Sequence, residues 1–284
     1  MLPVIGYSLP CHALECLSDP AVEAVDILFD NSLDAGRVAA LHSRHPFGVV
    51  NFDLGSLALT EDFQAWRRQR QSLGQLAAAG WGTTVSVSLT AQSPEPGDDT
   101  TLIRVVELVR SLQASFEGSR LYLEIVPAVK EPATLQRDAD FLVDVLQKTG
   151  CGWLLNVADT YARSRNLGFD PYDQIAEVLP SATNVLIRAS SVRFEKRIGA
   201  VVTVTEGAIP DEVWSLLRHS LVLGIHKTRA VVFSGRERRG GETLRKSDLR
   251  HARFIVDRVQ GRQRMLKQQG SVRDFLARGT IRHE

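Results

Sequence analysis

Residues 151–180 read CGWLLNVADTYARSRNLGFDPYDQIAEVLP, and this stretch sets the pattern for the whole chain. Its apolar run 153–157 has the length and composition of a buried strand. Asn156, Asp159, Thr160 and Tyr161 follow where that strand must end. They predict a polar loop. A Gly-Phe-Asp-Pro turn at 168–171 then opens a helix at Asp170, with Pro171 where a missing N–H costs nothing. The stretch is thus one strand, one polar connection and one helix.

The same unit recurs on both sides. Strands are expected at 2–8, 25–30, 48–54, 82–89, 121–126, 184–189 and 229–233. Helices are expected at 34–44, 61–79, 100–116, 133–148 and 210–223. Gly150 is the stop of the fourth of these. The helix at 61–79 presents Phe63, Trp66, Leu73 and Leu76 at core-facing spacing, and 82–89 alternates as a half-buried strand does. A short β-like run, 200–205, interrupts the connection 190–210. Eight strands alternating with about eight helices predict an α/β protein, a (β/α)8 TIM barrel. A doubly wound open sheet would need a G-x-G-x-x-G turn after an early strand, and none is present. The barrel is expected to be one domain over 1–270. It closes on a long basic helix, 243–268, and 271–284 is a C-terminal tail that opens with a short helix.

Composition excludes more than it assigns. The 284 residues carry a formal charge of only +1, so no global charge calls for nucleic acid or an anionic membrane surface. The charge is uneven, however. From Arg236 to Glu284 there are 14 Lys/Arg against 6 Asp/Glu, a net +8 that leaves the first 235 residues near −7. This basic end is either a solvated helix face or a docking surface. Cys11, Cys16 and Cys151 form no C-x-x-C pair and read as reduced, structural thiols. No run reaches the ~20 apolar residues of a membrane span, and the N-terminus has no signal-peptide pattern. A cytoplasmic protein is expected. The seven histidines form no H-x-H or H-x-x-x-H pair, which argues against a histidine-rich metal centre. No G-x-S-x-G elbow or P-loop occurs.

In such a barrel the residues to read are those at the C-terminal ends of the strands. They include Asp30, Asn31, Asn51, Asp53, Ser86, Ser88, Glu124, Asn156, Asp159, Arg188, Ser190, Ser191, Ser234 and Arg236. Glu124 stands out, because a carboxylate inside the apolar run LYLEIVP is costly unless it is paired. Its structural reading is an ion pair with Arg188. Its functional reading is a general base, with Asp159 as a second catalytic candidate. Asn51, Asp53, Ser88, Asn156, Arg188, Ser191 and Arg236 are the candidate binding residues, Arg188 as the rigid fork for an anion. Should a metal be held, the candidates are Glu124, Glu206 and His12.

These motifs resemble a known family, the multinuclear non-heme iron oxidative enzymes, relatives of the methanobactin-modifying oxidase within the xylose-isomerase-like TIM barrels. CGWLLNVADTYARSRNLGFD is similar to the family segment CGLLLDVNN-x-YV-x-x-x-N-x-GFD. IGYSLPCHALECL, Leu54-Gly55-Ser56, LYLEIVPA and EGAIPDEVWSLLRHSL resemble further family motifs, in order, over about residues 10–235. The resemblance implies a barrel that binds two or three irons through histidines and carboxylates. It also implies oxidation of residues in ribosomally made peptides, with a partner protein that presents the peptide.

This chain departs from the family at most of those ligand positions. Ser88 stands for a histidine and Val87 for the acidic residue before it. Asn156 and Ala158 stand for Asp and Asn. Ile187 and Ser191 occupy two histidine places, and Phe233 and Gly235 those of the final acidic pair. The D-x-H motif becomes a stretch ending in Glu206. The third-strand histidine is Gly48 in a gapless match, or Asn51 if the alignment slips. Glu124 is retained, followed by Ile125. The expectation is a metal-depleted relative with no cofactor, acting as a peptide- or partner-binding subunit in a specialised pathway. Two alternatives stand beside it. One is a metal-independent enzyme doing acid–base chemistry on a small anionic molecule. The other is an iron-dependent oxidase with different ligands.

Overall fold

The computed structural model describes residues 2–10, 17, 19–28, 40, 43, 47–58, 84–91, 100–116, 118–127, 135–234 and 246–279. Eight parallel strands close into a barrel: β1 (Val4–Pro10), β2 (Ala24–Leu28), β3 (Val49–Ala58), β4 (Thr84–Ala91), β5 (Arg120–Pro127), β6 (Gly152–Asn156), β7 (Val185–Ala189) and, after an inserted hairpin, β10 (Thr228–Ser234). The hairpin is β8 (Ser191–Glu195) paired antiparallel with β9 (Ala200–Val204). All eight expected barrel strands are present. Around them lie α1 (Thr100–Ser115), α2 (Leu135–Thr149), α3 (Val157–Leu167), α4 (Pro171–Val178), α5 (Asp211–Gly224) and α6 (Lys246–Gly279). The helix expected at 61–79, and nearly all of that at 34–44, lies outside the described residues. The run expected at 200–205 forms β9, which belongs to the hairpin rather than to the barrel.

Two expectations are corrected. The polar stretch after β6 is a helix, not a loop, and Val157 opens it rather than ending the strand. Asn156 caps α3 by accepting a hydrogen bond from Asp159 N, and Gly168 ends the helix in the left-handed region at φ 76°. Only a residue without a Cβ adopts that conformation freely. The last helix, in turn, continues past 268 to Gly279.

Strand alternation sorts side chains into an outer and an inner set. Ile5, Tyr7, Ile27, Phe52, Val87, Leu123, Leu155, Ile187 and Phe233 face outward and join the helices in the large core. A separate small cluster fills the barrel: Ala24, Tyr122, Leu154, Leu186, Ala230 and Val232. Gly6 sits beside Ala24 in the register, and a Cβ there would overlap the Ala24 carbonyl. One layer up, two residues along the strands, the inner residues turn polar. This layer holds Asp26, Asn51, Ser86, Glu124, Asn156 and Arg188, each two positions beyond an inward residue of the layer below. Asp53 and Ser88 lie one step higher. An apolar floor thus carries a polar upper half.

Helix α6 buries Leu249, Ala252, Ile255, Val256 and Val259. Part of its basic charge is used internally: Lys246 pairs with Asp19 at 3.2 Å and Arg253 with Glu23.

Candidate functional site

Arg188 occupies the barrel's polar layer. Its Nη2 donates to Asp26 Oδ2 and to Asp53 Oδ2, both at 2.7 Å, and its Nε donates to Asp26 Oδ2 at 3.2 Å. Asp26 Oδ1 accepts from Asn51 Nδ2 at 2.7 Å, and that same amide donates to Ser86 Oγ at 2.8 Å. Asp53 Oδ1 accepts from Gly55 N. Asp26, Asn51 and Ser86 are fully buried, and Asp53 and Arg188 nearly so. Asn51 Oδ1 has no partner among the described residues. The surrounding carboxylates hold the guanidinium in its charged form against the cost of burial. Burial also pushes the Asp53 carboxyl up, and Arg188 opposes that rise.

Glu124 is half-buried beside this network and accepts a hydrogen bond from Ser88 Oγ at 2.6 Å. Burial pushes its carboxyl up to about 7. Arg188 and the Ser88 hydroxyl oppose the shift, while Asp159 and Asp53 add to it. The expected Glu124–Arg188 pair is therefore replaced: the hydrogen bonds of Arg188 go to Asp26 and Asp53, and Glu124 feels it only as a nearby charge. Asp26 was not among the sequence candidates. The argument that singled out Glu124, a carboxylate inside an apolar strand, applies equally to it within AVDIL.

Two cavities meet at Asn156. The larger, about 390 Å³, lies at the mouth of the barrel, lined by Asn156, Arg188, Ser190 and Ser234 and walled by Arg193 and residues 203–206 of the hairpin side. The smaller, about 40 Å³, lies among Glu124, Asn156, Asp159, Thr160, Arg163 and neighbouring apolar side chains. Glu206 thus lines the mouth and Glu124 the smaller cavity. Ser191 is turned aside, donating to the Ala208 carbonyl at 2.7 Å. His12 and Arg236 lie outside the described residues.

The iron implied by the resemblance does not fit the described donors. Asp26 and Asp53 already share the Nη2 of Arg188. Ser88 and Asn156 offer a neutral hydroxyl and amide, poor donors for a transition metal. Among the described residues no group of three or more His, Cys, Asp or Glu is arranged to hold a metal ion.

The architecture is a closed (β/α)8 barrel. A mannonate dehydratase from Streptococcus suis superposes with a TM-score of 0.60 at 10% identity, covering 94% of this chain and 96% of its own. A xylose isomerase-like TIM barrel/4-hydroxyphenylpyruvate dioxygenase fusion protein superposes at 0.59 with 9% identity, over 95% of this chain and 45% of that longer one. At such identities the likeness concerns the fold alone. Within that class, the chain belongs to the family of RiPP precursor modification enzymes MbnB/TglH/ChrH, whose family model matches residues 78–232. A UPF0276 protein of Chromobacterium violaceum is 29% identical over 231 residues, 75% of this chain and 80% of its own. The chain is therefore a relative of enzymes that modify ribosomally made peptides. Among the described residues no helix is long and apolar enough to cross a membrane.

Proposed function

We propose that this chain serves a peptide-modification pathway without the metal chemistry of its relatives, by binding a peptide or a partner chain at the mouth of the barrel. The observation that carries the reading is the guanidinium of Arg188, held between Asp26 and Asp53 where a bridging cation would otherwise be shared. The residues around it offer hydrogen bonds rather than redox chemistry: Asn156, Ser190 and Ser234 line the mouth. A small anion is a poor fit for the centre, because two carboxylates already balance Arg188 and Glu124 adds a third acidic group. Elemental analysis of protein expressed with added iron and handled without oxygen tests the reading. Well under ~0.2 equivalents of iron is expected, since ligand type and number decide what metal is held. About one equivalent or more that falls in Glu124→Ala would sink it.

A second reading has its own support. A carboxyl poised near pH 7 next to a cavity is suited to general acid–base catalysis. Under that reading Glu124 moves a proton at its Oε atoms, Ser88 orients it, and Asn156 and Asp159 flank the substrate. Turnover of a small molecule that is lost in Glu124→Gln, with the fold and partner binding intact, would move the chain to this reading.

A further inference from the structure

The β8–β9 hairpin stands over the barrel mouth, and its two outer edges differ. On the β9 side, Asn166 of α3 imitates a neighbouring strand: its Nδ2 donates to the Val201 carbonyl at 2.9 Å and its Oδ1 accepts from Val201 N at 2.8 Å. The Val201 main chain therefore points away from β8. In an antiparallel ladder, residues alternate between pairs that exchange hydrogen bonds and pairs whose main-chain groups face outward. Val201 is opposite Phe194, and Thr203 is opposite Val192. The N–H and C=O groups of Val192 and Phe194 consequently face outward on the β8 side. Among the described residues no hydrogen bond to them is made from outside the hairpin.

Natural proteins usually blunt or cover such an edge, and an open one is a template for pairing. This edge adjoins the site. Arg193 lies between Val192 and Phe194, and with Thr203 and Val204 of the partner strand it lines the 390 Å³ mouth cavity. The Phe194 side chain is 61% exposed and Ile198 at the turn 56% exposed. Arg193 pairs with Glu195 at 3.3 Å, and Lys196 and Arg197 at the turn leave the hairpin with a positive surplus that favours an acidic ligand.

We propose that the outward edge of β8, unpaired among the described residues, is a peptide-binding site, which takes an extended acidic segment as an added strand and leads its end into the barrel mouth. This rests on the reading of the chain as a peptide-binding member of its family and names where and how the peptide is held. Main-chain hydrogen bonds to Val192 and Phe194 supply affinity, and the alternate side chains meet Phe194, Arg193 and the cavity.

The probe is a fluorescein-labelled twelve-residue peptide of alternating Val and Glu, followed by anisotropy against the full chain. Phe194→Pro removes one outward donor without touching the hairpin's own ladder, as proline does on an edge. Phe194→Ala keeps the donor and removes the ring. Loss of binding by about tenfold or more is expected for Phe194→Pro, and for a peptide N-methylated at alternate residues. Phe194→Ala is expected to lose less. Hydrogen exchange at the Val192 and Phe194 amides should slow when the peptide is added. Equal binding of the native and N-methylated peptides, with Phe194→Pro unaffected, would overturn strand addition and leave a peptide site elsewhere. Failure of every peptide to bind would overturn this site and remove the support for peptide binding, whatever the iron content. A concentration-dependent dimer that Phe194→Pro dissolves, with no peptide bound, would assign the edge to a second copy and overturn the proposal.

Discussion

At the scale of single residues, Arg188 and the carboxylates around it decide what the barrel can hold. Breaking a buried ion pair on one side leaves charges without compensation, so Arg188→Ala is expected to cost about 3–5 kcal/mol in chemical denaturation. Asp26 and Asp53 would then be left facing each other, and added Mn²⁺ should restore part of that loss in the variant while leaving the native protein unchanged. Glu124 gives a prediction with a definite sign. Its folded carboxyl lies near 7, above an unfolded value near 4.5. Between those values the folded state keeps a proton that the unfolded state releases. Stability from this group is complete below about pH 4.5 and is lost as pH rises toward and through 7. Glu124→Gln should flatten that fall in denaturation measured from pH 5 to 8. An unchanged slope would mean that Glu124 titrates like an exposed carboxylate.

At the scale of elements, the alternation of apolar runs and amphipathic runs was enough to locate all eight barrel strands. What it did not show was which polar residues meet. Asp26 and Arg188 are 162 positions apart, and only the register of the closed barrel brings them together. Glu124 could be picked out because its surroundings in LYLEIVP are so apolar. Asp26 is as isolated within AVDIL, but Asp30 and Asn31 place the expected end of that strand further on. The start of α3 was also readable in hindsight. Asn156 at the cap, Asp159 in the first turn and Gly168 at the end are ordinary helix boundaries, but the polar composition of ADTYARSRN suggested a loop. The cap can be tested. Asn156→Ala should destabilise the fold by about 1 kcal/mol through the loss of its bond to Asp159 N. Asn156→Asp should recover most of that loss.

At the scale of the whole molecule, the barrel has a tight apolar floor beneath its polar half, and Gly6 shows how tight. Gly6→Ala cannot be accommodated against the Ala24 main chain without spreading β1 from β2, so a large drop in melting temperature or loss of soluble protein is expected. Gly168→Ala offers the contrast: nothing lies near its Cβ, and only the left-handed backbone opposes it, for a cost of about 1 kcal/mol. The arrangement of the polar half also bears on how the chain folds. Asp26 and Asp53 belong to the first three strands, and Arg188, their counter-charge, to the seventh in order along the chain. Among the described ion pairs, the counter-charge of both carboxylates comes from that late strand alone. A fragment ending before β7 would therefore lack the cation that both carboxylates share in the closed ring.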